Sequence, residues 1–172
     1  MEMPERALVV VVATGTEVGK TFTTAGVART CRRKGWEVVA LKPVESGVRD
    51  NLETDWSTLG EACGVAYAPC VALDPPISPH LAARWSGRSI EMGELVRWVE
   101  KRRGGLTLVE TAGGLLSPLS EATTNLDFAV ALNPDAVVMV GANRLGALHD
   151  IRACAMAMKA TSLNAPVLTV LN

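Results

Sequence analysis

The residues best suited to chemistry form a short loop, Gly19-Lys20-Thr21, that follows an apolar run and precedes a helical pattern. In a phosphate-binding loop, backbone N–H groups surround the phosphates and a lysine reaches the terminal ones. The standard spacing has a glycine five residues before the second one, and this chain has Thr14 there. The context still favours phosphate binding, because a helix starts at Thr21 and a helix N-terminus attracts anions. We therefore predict a nucleotide-binding loop, with the Thr21 hydroxyl as a ligand of the accompanying Mg²⁺.

Strands and helices that alternate along the chain would position this loop. Apolar, β-branched runs predict strands at 8–12, 37–41, 106–109, 136–140 and 167–171. Helical spacing predicts helices at 21–34, 54–63, 90–103 and 149–160, the third capped by Ser89. The proline-rich residues 65–80 are predicted to be mostly loop, with a short strand near Val71. The alternation predicts an α/β fold, a doubly wound, mainly parallel sheet flanked by helices, of the P-loop NTPase type.

Polar residues stand at the carboxyl ends of several predicted strands. They are residues 14–21, residues 42–46, Glu110 and Asn172. In open parallel sheets, ligands bind beyond these strand ends, so the four groups should meet at one edge. Glu110 ends a buried strand, where an unpaired carboxylate is costly, and we therefore expect it to have a metal or lysine partner.

Composition limits the possible functions. The chain has 172 residues, 48% hydrophobic and 20% charged, with a formal net charge of −1, as expected of one globular domain that does not bind nucleic acid non-specifically. Its four cysteines show no metal-binding or disulfide spacing and are predicted to be reduced. No apolar run is long enough to span a membrane and no signal peptide is evident, which predicts a cytoplasmic protein with no membrane association.

Five segments, taken in order along the chain, resemble motifs of the dethiobiotin synthetase family. They are ATGTEVGKT (13–21), KPVESG (42–47), ISPHLAA (77–83), VETAGGLLSPLS (109–120) and RLGALHD (144–150). Each match is weak by itself, but together they are specific. The resemblance implies that residues 1–172 form a single P-loop ligase domain and that relatives continue for several tens of residues beyond it.

The resemblance implies an ATP-dependent ring-closing ligase of biotin biosynthesis. Its substrates would be ATP, CO₂ or bicarbonate, and 7,8-diaminononanoate, with Mg²⁺ and no tightly bound organic cofactor. One substrate amine takes up CO₂ as a carbamate, the carbamate oxygen attacks the γ-phosphate, and the second amine displaces phosphate. A homodimer is implied as well, with the active sites at the interface.

The resemblance also assigns roles to individual residues. The catalytic residues would be Lys42, Lys20 and Thr16. The nucleotide would be bound by Glu17, Val18, Gly19, Lys20, Thr21, Phe22, Asp55, Glu110, Thr111, Ala112, Gly113 and Asn172. The substrate would be bound by Thr16, Lys42 and Ser46, and its carboxylate tail by Gly146, Ala147, Leu148 and His149 of a partner subunit. The metal ligands would be Thr21, Asp55 and Glu110, which are hard oxygen donors suited to Mg²⁺.

Two of these assignments have alternatives, and the chain departs from the family motifs at several positions. The alternative interpretation of Lys42 is a solvated lysine at the end of a strand. The alternative interpretation of Asp55 is an acid at a helix start, where the helix dipole stabilises it. Ala13 replaces the first glycine of the loop, and Thr111 replaces a glycine near the γ-phosphate. Two other functions stay open, namely a P-loop ATPase switch of the partitioning type and a nucleotide-binding module with weakened catalysis.

Overall fold

The computed structural model describes residues 6–48 and 53–172. The strands in these ranges are β1 (Ala7–Ala13), β2 (Val38–Leu41), β3 (Val44–Ser46), β4 (Val71–Leu73), β5 (Leu106–Glu110), β6 (Ala136–Gly141) and β7 (Val167–Leu171). The helices are α1 (Lys20–Arg33), α2 (Asp55–Cys63), α3 (Pro79–Trp85), α4 (Met92–Glu100), α5 (Asn125–Leu132) and α6 (Ala147–Lys159).

The main sheet has five strands in the order β2-β5-β1-β6-β7, and all four neighbouring pairs are parallel. β1 lies at its centre, which explains why its sequence is apolar on both faces. Val11 of β1 is in register with Glu110 of β5, and Leu41 of β2 with Val109. The residues that follow β1, β2 and β5 therefore emerge side by side at one edge. β3 and β4 form a separate two-stranded parallel sheet.

Helices cover both faces of the main sheet. On one face, α1 and α2 contribute residues such as Ala28 and Leu59 to a cluster with β2 and β5. On the other, α3, α4, α5 and α6 pack on the opposite side chains of β1, β2, β5 and β6, and Phe128 of α5 is 2% exposed. This arrangement confirms the predicted doubly wound α/β fold.

Most of the predicted elements are confirmed, and their ends differ from the predicted ones by at most three residues. α2 begins at Asp55, and Thr54 caps it in a capping box with Ser57. The predicted capping by Ser89 is wrong, because α4 begins at Met92 with Glu91 as its N-cap residue. All four cysteines are free. In the parts of the chain that the structure describes, no helix combines the length and apolar character needed to cross a membrane.

Three elements were absent from the sequence prediction. β3 lies in the segment predicted only as a polar strand end, and α3 begins with Pro79 at the end of the predicted loop. α5 has only eight residues, and its nearly continuous apolar sequence hides the helical spacing. Its start is marked by a capping box between Thr124 and Asp127, a signal that the sequence does contain.

Candidate active site

The phosphate loop, residues 14–21, joins β1 to α1. Its turn contains two left-handed residues, Glu17 (φ 58°) and Gly19 (φ 86°). From Gly15 to Phe22, no backbone N–H group donates to an acceptor in the described part of the chain. A series of free N–H groups leading into a helix N-terminus is an arrangement that binds phosphate oxygens.

Lys42 follows β2 and occupies the centre of the site, with 4% of its side chain exposed. Its Nζ donates hydrogen bonds to Asp55 Oδ2 and to Glu110 Oε1, both at 2.6 Å, and lies 3.5 Å from the carbonyl oxygen of Thr111. Burial by itself would lower the pKa of Lys42, but Glu110 and Asp55 outweigh it and raise the pKa. Lys42 is therefore a charged, buried residue and not a solvated lysine.

Glu110 is completely buried, and Lys42 is the lysine partner that its position led us to expect. Its Oε1 also accepts a hydrogen bond from the Thr21 hydroxyl at 2.8 Å. Its Oε2 is buried and has no hydrogen-bond partner among the described residues. An unpartnered buried carboxylate oxygen is costly, and a bound cation would satisfy it.

Asp55 stands at the start of α2 and is 41% exposed in its side chain. Burial acts to raise the pKa of this carboxyl, but Lys42 beside it lowers the pKa overall. Together with Glu110 and the Thr21 hydroxyl, Asp55 offers oxygen donors of the kind that Mg²⁺ prefers. The chemistry of this donor set fits a magnesium ion that is also bound by nucleotide phosphates.

Glu45, on β3, holds the start of α2 in place. It is 7% exposed, and its two carboxylate oxygens accept hydrogen bonds from the backbone N–H groups of Asp55 (2.7 Å) and Trp56 (3.1 Å). Burial raises the pKa of Glu45, although these two hydrogen bonds act in the opposite direction. Glu45 thus fixes the backbone of the residue that pairs with Lys42.

Lys20 supplies a second buried ammonium group, with 7% exposure. Burial, together with the nearby charge of Lys42, lowers its pKa to about 8, and Glu110 and Asp55 offset only part of this effect. Because burial makes the positive charge of Lys20 costly, an anionic ligand beside it would stabilise that charge.

These groups surround a cavity of about 640 Å³. Its lining combines the phosphate loop, the residues after β2, the Ala112-Gly113 segment after β5, and residues 76–79. The volume suits a phosphate tail together with a small organic substrate. Lys20 of the loop and Lys42 after β2 both line the cavity. Together with the free N–H groups of the loop, they can stabilise a phosphoryl group during its transfer.

Comparison with known proteins identifies the family. A family model described as an AAA domain matches residues 7–172. An ATP-dependent dethiobiotin synthetase BioD from Methylobacterium nodulans is 37% identical over 155 residues, covering 80% of this chain and 68% of the relative. The chain belongs to the dethiobiotin synthetase family. Another BioD, from an Anaeromyxobacter species, is 37% identical over 160 residues, which cover 89% of this chain and 71% of that relative.

Solved structures support the fold of this dethiobiotin synthetase family member. The signal recognition particle receptor FtsY from Elizabethkingia anophelis aligns with a TM-score of 0.54 and 18% identity, over 96% of this chain and 51% of its own. The kinase domain of the Escherichia coli tyrosine kinase ETK aligns with a TM-score of 0.57 and 14% identity. The alignment covers 98% of this chain and 68% of the kinase chain. At such identities the likeness concerns the fold alone.

Many of the residues that the resemblance selected are brought together by the fold. Those that line the cavity are Thr16, Glu17, Gly19, Lys20, Thr21, Lys42, Ser46, Asp55, Ala112 and Gly113. Glu110 lies directly behind them, bonded to Lys42 and Thr21.

Other selected residues lie outside the cavity lining. Phe22 is 74% exposed on α1. Val18 is buried, and its carbonyl accepts a hydrogen bond from Asn172 Nδ2 at 3.3 Å. Thr111 turns its hydroxyl to the carbonyl of Val11 (3.2 Å), so it ties β5 to β1 and does not line the cavity. Asn172 packs so closely on the loop that a Cβ added to Gly19 would lie 2.1 Å from its Nδ2.

Ala13 does not distort the loop. It forms the last residue of β1 and is in register with Val140 of β6, so the departure from glycine falls in regular strand.

The segment from Gly146 to His149 starts α6, and these four residues do not line the cavity. A helix start can bind a carboxylate through free N–H groups. Those of Ala147 and His149 are not free, because they donate to the carbonyls of Arg144 and Gly146, respectively. The N–H groups of Gly146 and Leu148 have no acceptor in the described ranges.

Sequence reasoning missed two residues of the site. Glu45 lies within the KPVESG motif, and its position next to the strand end was the available signal. Asn125 contacts the segment after β5, and only the capping box at Thr124 indicated that a helix begins there.

Proposed function

We propose that this chain is an ATP-dependent ligase that carboxylates 7,8-diaminononanoate with CO₂ and closes the ring of dethiobiotin. Membership of the dethiobiotin synthetase family supports the overall reaction. The observation that carries the residue roles is the buried cluster in which Lys42 lies between Asp55 and Glu110, beside a phosphate loop with free N–H groups.

The reaction has three steps. The nitrogen lone pair of one amine attacks CO₂ and the amine loses a proton, forming a carbamate. A carbamate oxygen then attacks the γ-phosphorus of ATP, the bond to the β-phosphate oxygen breaks, and ADP leaves. The second amine attacks the carbonyl carbon of the mixed anhydride, the C–O bond to phosphate breaks, and the ring closes with release of phosphate and a proton.

In this scheme the protein positions the reactants and supplies positive charge. Lys20 would contact the terminal phosphates from the loop side, and Lys42 would face the carbamate. Thr16 and Ser46, which both line the cavity, would bind the amine or carbamate by hydrogen bonds. The free N–H groups of the loop would bind the phosphates.

Thr21, Asp55 and Glu110 would hold Mg²⁺, which supplies charge compensation for the phosphate oxygens when bound. Glu110 Oε2 has no hydrogen-bond partner among the described residues and could serve as a ligand, whereas Glu110 Oε1 and Asp55 Oδ2 are engaged by Lys42. The Lys42 ion pairs therefore stabilise the same carboxylates that the metal would use.

We further propose a homodimer in which Gly146 to His149 of one subunit approach the substrate tail in the other. Leu145 is 100% exposed and Leu148 is 76% exposed, so this helix start presents apolar surface to solvent. Sedimentation with and without substrate tests this assembly, and a protein that stays monomeric while forming dethiobiotin at full rate contradicts it.

The test of the reaction compares Lys42→Ala and Lys42→Gln with the wild type, using Lys159→Ala as a matched control on the exposed end of α6. Dethiobiotin formation should fall roughly a hundredfold or more, equivalent to about 3 kcal/mol, because one positioned charge is lost. ATP affinity should fall much less, because the loop is unchanged. Circular dichroism verifies that each variant is folded under the assay conditions.

Two outcomes would overturn these roles. If Lys42→Gln forms dethiobiotin at the full rate, Lys42 has no role in the reaction. If the variant loses rate and ATP affinity equally, Lys42 binds the nucleotide and not the carbamate. ATP hydrolysis that is independent of 7,8-diaminononanoate would instead favour a switch or a bare nucleotide-binding module.

A further inference from the structure

Asn125, the first residue of α5, is completely buried beside the active site. Its Nδ2 donates two hydrogen bonds, to the carbonyl of Ala112 at 2.6 Å and to the carbonyl of Gly114 at 2.8 Å. The two acceptors stand on either side of Gly113. We call Ala112–Gly114 the clamped segment.

The orientation of this amide is fixed by its partners. Both neighbouring groups are carbonyls and only accept hydrogen bonds, so the NH₂ group, and not the oxygen, must face them. Asn125 Oδ1 is consequently left buried with no hydrogen-bond partner in residues 6–48 and 53–172. An unsatisfied buried acceptor is a cost, which the two short hydrogen bonds to the clamped segment offset.

The clamped segment packs directly against the phosphate loop. A Cβ added to Gly114 would lie 3.2 Å from Gly15 Cα, and one added to Gly113 would lie 3.7 Å from Thr16 Oγ1. The N–H of Gly114 donates to Ser117 Oγ at 2.9 Å. Ala112 and Gly113 line the cavity, and Gly113 has a φ of 79°.

Its flexibility makes a clamp necessary. Two successive glycines have more backbone freedom than any other pair, so this segment would otherwise sample several conformations. It follows Glu110 and Thr111, where Lys42 approaches within 3.5 Å of the Thr111 carbonyl. A shift of the segment would therefore change the shape of the cavity close to the proposed site of phosphoryl transfer.

We propose that Asn125 is a positioning residue, which holds the clamped segment against the phosphate loop and so sets the geometry of phosphoryl transfer. This inference rests on the proposed function. Asn125 does not line the cavity and acts through the two carbonyls that it binds. Its removal should lower kcat more than it weakens ATP binding. The N–H groups of the loop remain in place, and of the predicted nucleotide-binding residues only Ala112 and Gly113 lie in the segment that Asn125 holds.

The test replaces Asn125 with Leu, which has a similar size and no donor, and with Ser, which retains a single donor. Asn164→Leu, at an exposed position between α6 and β7, is the matched control. We expect kcat for dethiobiotin formation to fall on the order of tenfold to a hundredfold in Asn125→Leu, as for a small misplacement of reacting groups. The KM and Kd for ATP should stay within about twofold, and Asn125→Ser should lie between Asn125→Leu and the wild type.

Amide hydrogen exchange at Gly114 provides a readout that does not depend on catalysis. The exchange of this N–H should accelerate in Asn125→Leu and Asn125→Ser in the absence of any ligand, and not in Asn164→Leu. If Asn125→Leu does not fold, Asn125→Ser carries both measurements.

The outcomes separate this inference from the proposed function. Unchanged exchange at Gly114, an unchanged kcat, or an equal loss of kcat and ATP affinity overturns the role of Asn125. If the wild type forms no dethiobiotin, the proposed function fails, and the exchange at Gly114 alone then decides whether the clamp exists.

Discussion

Replacing Lys42 with Met should destabilise the free protein strongly, because it leaves the Glu110 carboxylate buried without a partner. Glu110 is 0% exposed and Lys42 is 4% exposed, whereas the second partner, Asp55, is 41% exposed and can be hydrated. The penalty therefore comes mainly from Glu110. Breaking a buried ion pair by removing one member costs about 3–5 kcal/mol, and we expect the free energy of unfolding to fall by this amount.

The double variant Lys42→Met/Glu110→Gln should recover most of this loss. Removing both charges leaves neither member of the pair as an unpartnered buried ion, and such replacements are often close to neutral in stability. Urea unfolding of the wild type, both single variants and the double variant gives the coupling free energy, which we expect to be at least about 2 kcal/mol. Mg²⁺ should stabilise Lys42→Met more than the wild type, because the Asp55 and Glu110 carboxylates of this variant no longer have a lysine partner.

Two results would refute this reasoning. If Lys42→Met lowers the free energy of unfolding by less than about 1 kcal/mol, the pair behaves as a solvated surface contact. If the effects of the two single variants simply add, Lys42 and Glu110 do not interact energetically in solution.

Three further predictions concern the loop and one helix. Gly19→Ala should weaken ATP binding by at least about tenfold, because the residue has a φ of 86° and its Cβ would meet Asn172; unchanged affinity in calorimetry contradicts this. ATP affinity should fall about tenfold between pH 7 and 9. Above the Lys20 pKa of about 8, Lys20 of the nucleotide-free protein is mostly neutral and must take up a proton when ATP binds. Lys20→Arg, which stays charged over this range, should show no such loss. Thr124→Ala should lower the free energy of unfolding by about 1 kcal/mol, because it removes the capping box with Asp127, and thermal unfolding that matches the wild type would contradict this.

The sequence predicted the central sheet well because buried parallel strands have an unmistakable pattern. The apolar run of β1 and the polar residues after it are local features, and the convergence of Lys42 and Glu110 follows from parallel strand order alone. The contact between Lys42 and Asp55 was different. It depends on how Glu45 anchors the start of α2, and no local pattern encodes such a tertiary hydrogen bond.

The missed elements have physical reasons too. β3 is only three residues long and is paired with β4, so its formation depends on a partner that is distant in sequence. α5 is amphipathic only weakly, since both of its faces contain apolar residues. Asn125 could not be distinguished from an ordinary helix-start residue, because its acceptors are backbone carbonyls, which every residue possesses.

The strand order also has a consequence for how the site comes into being during folding. β1 pairs with no strand that is near it in sequence: Ala7 is in register with Leu106 and Val9 with Ala136. Such non-local pairing makes folding slow, because the entropy cost of closing long loops comes before the contacts that compensate for it. The phosphate loop directly follows β1, but both strands that support β1 come more than 80 residues later, so the loop obtains its support only after residues 106–110 and 136–140 have been synthesised. A chain released before residue 106 lacks both neighbours of β1, so acquisition of nucleotide affinity by nascent chains of increasing length would report when the central sheet closes.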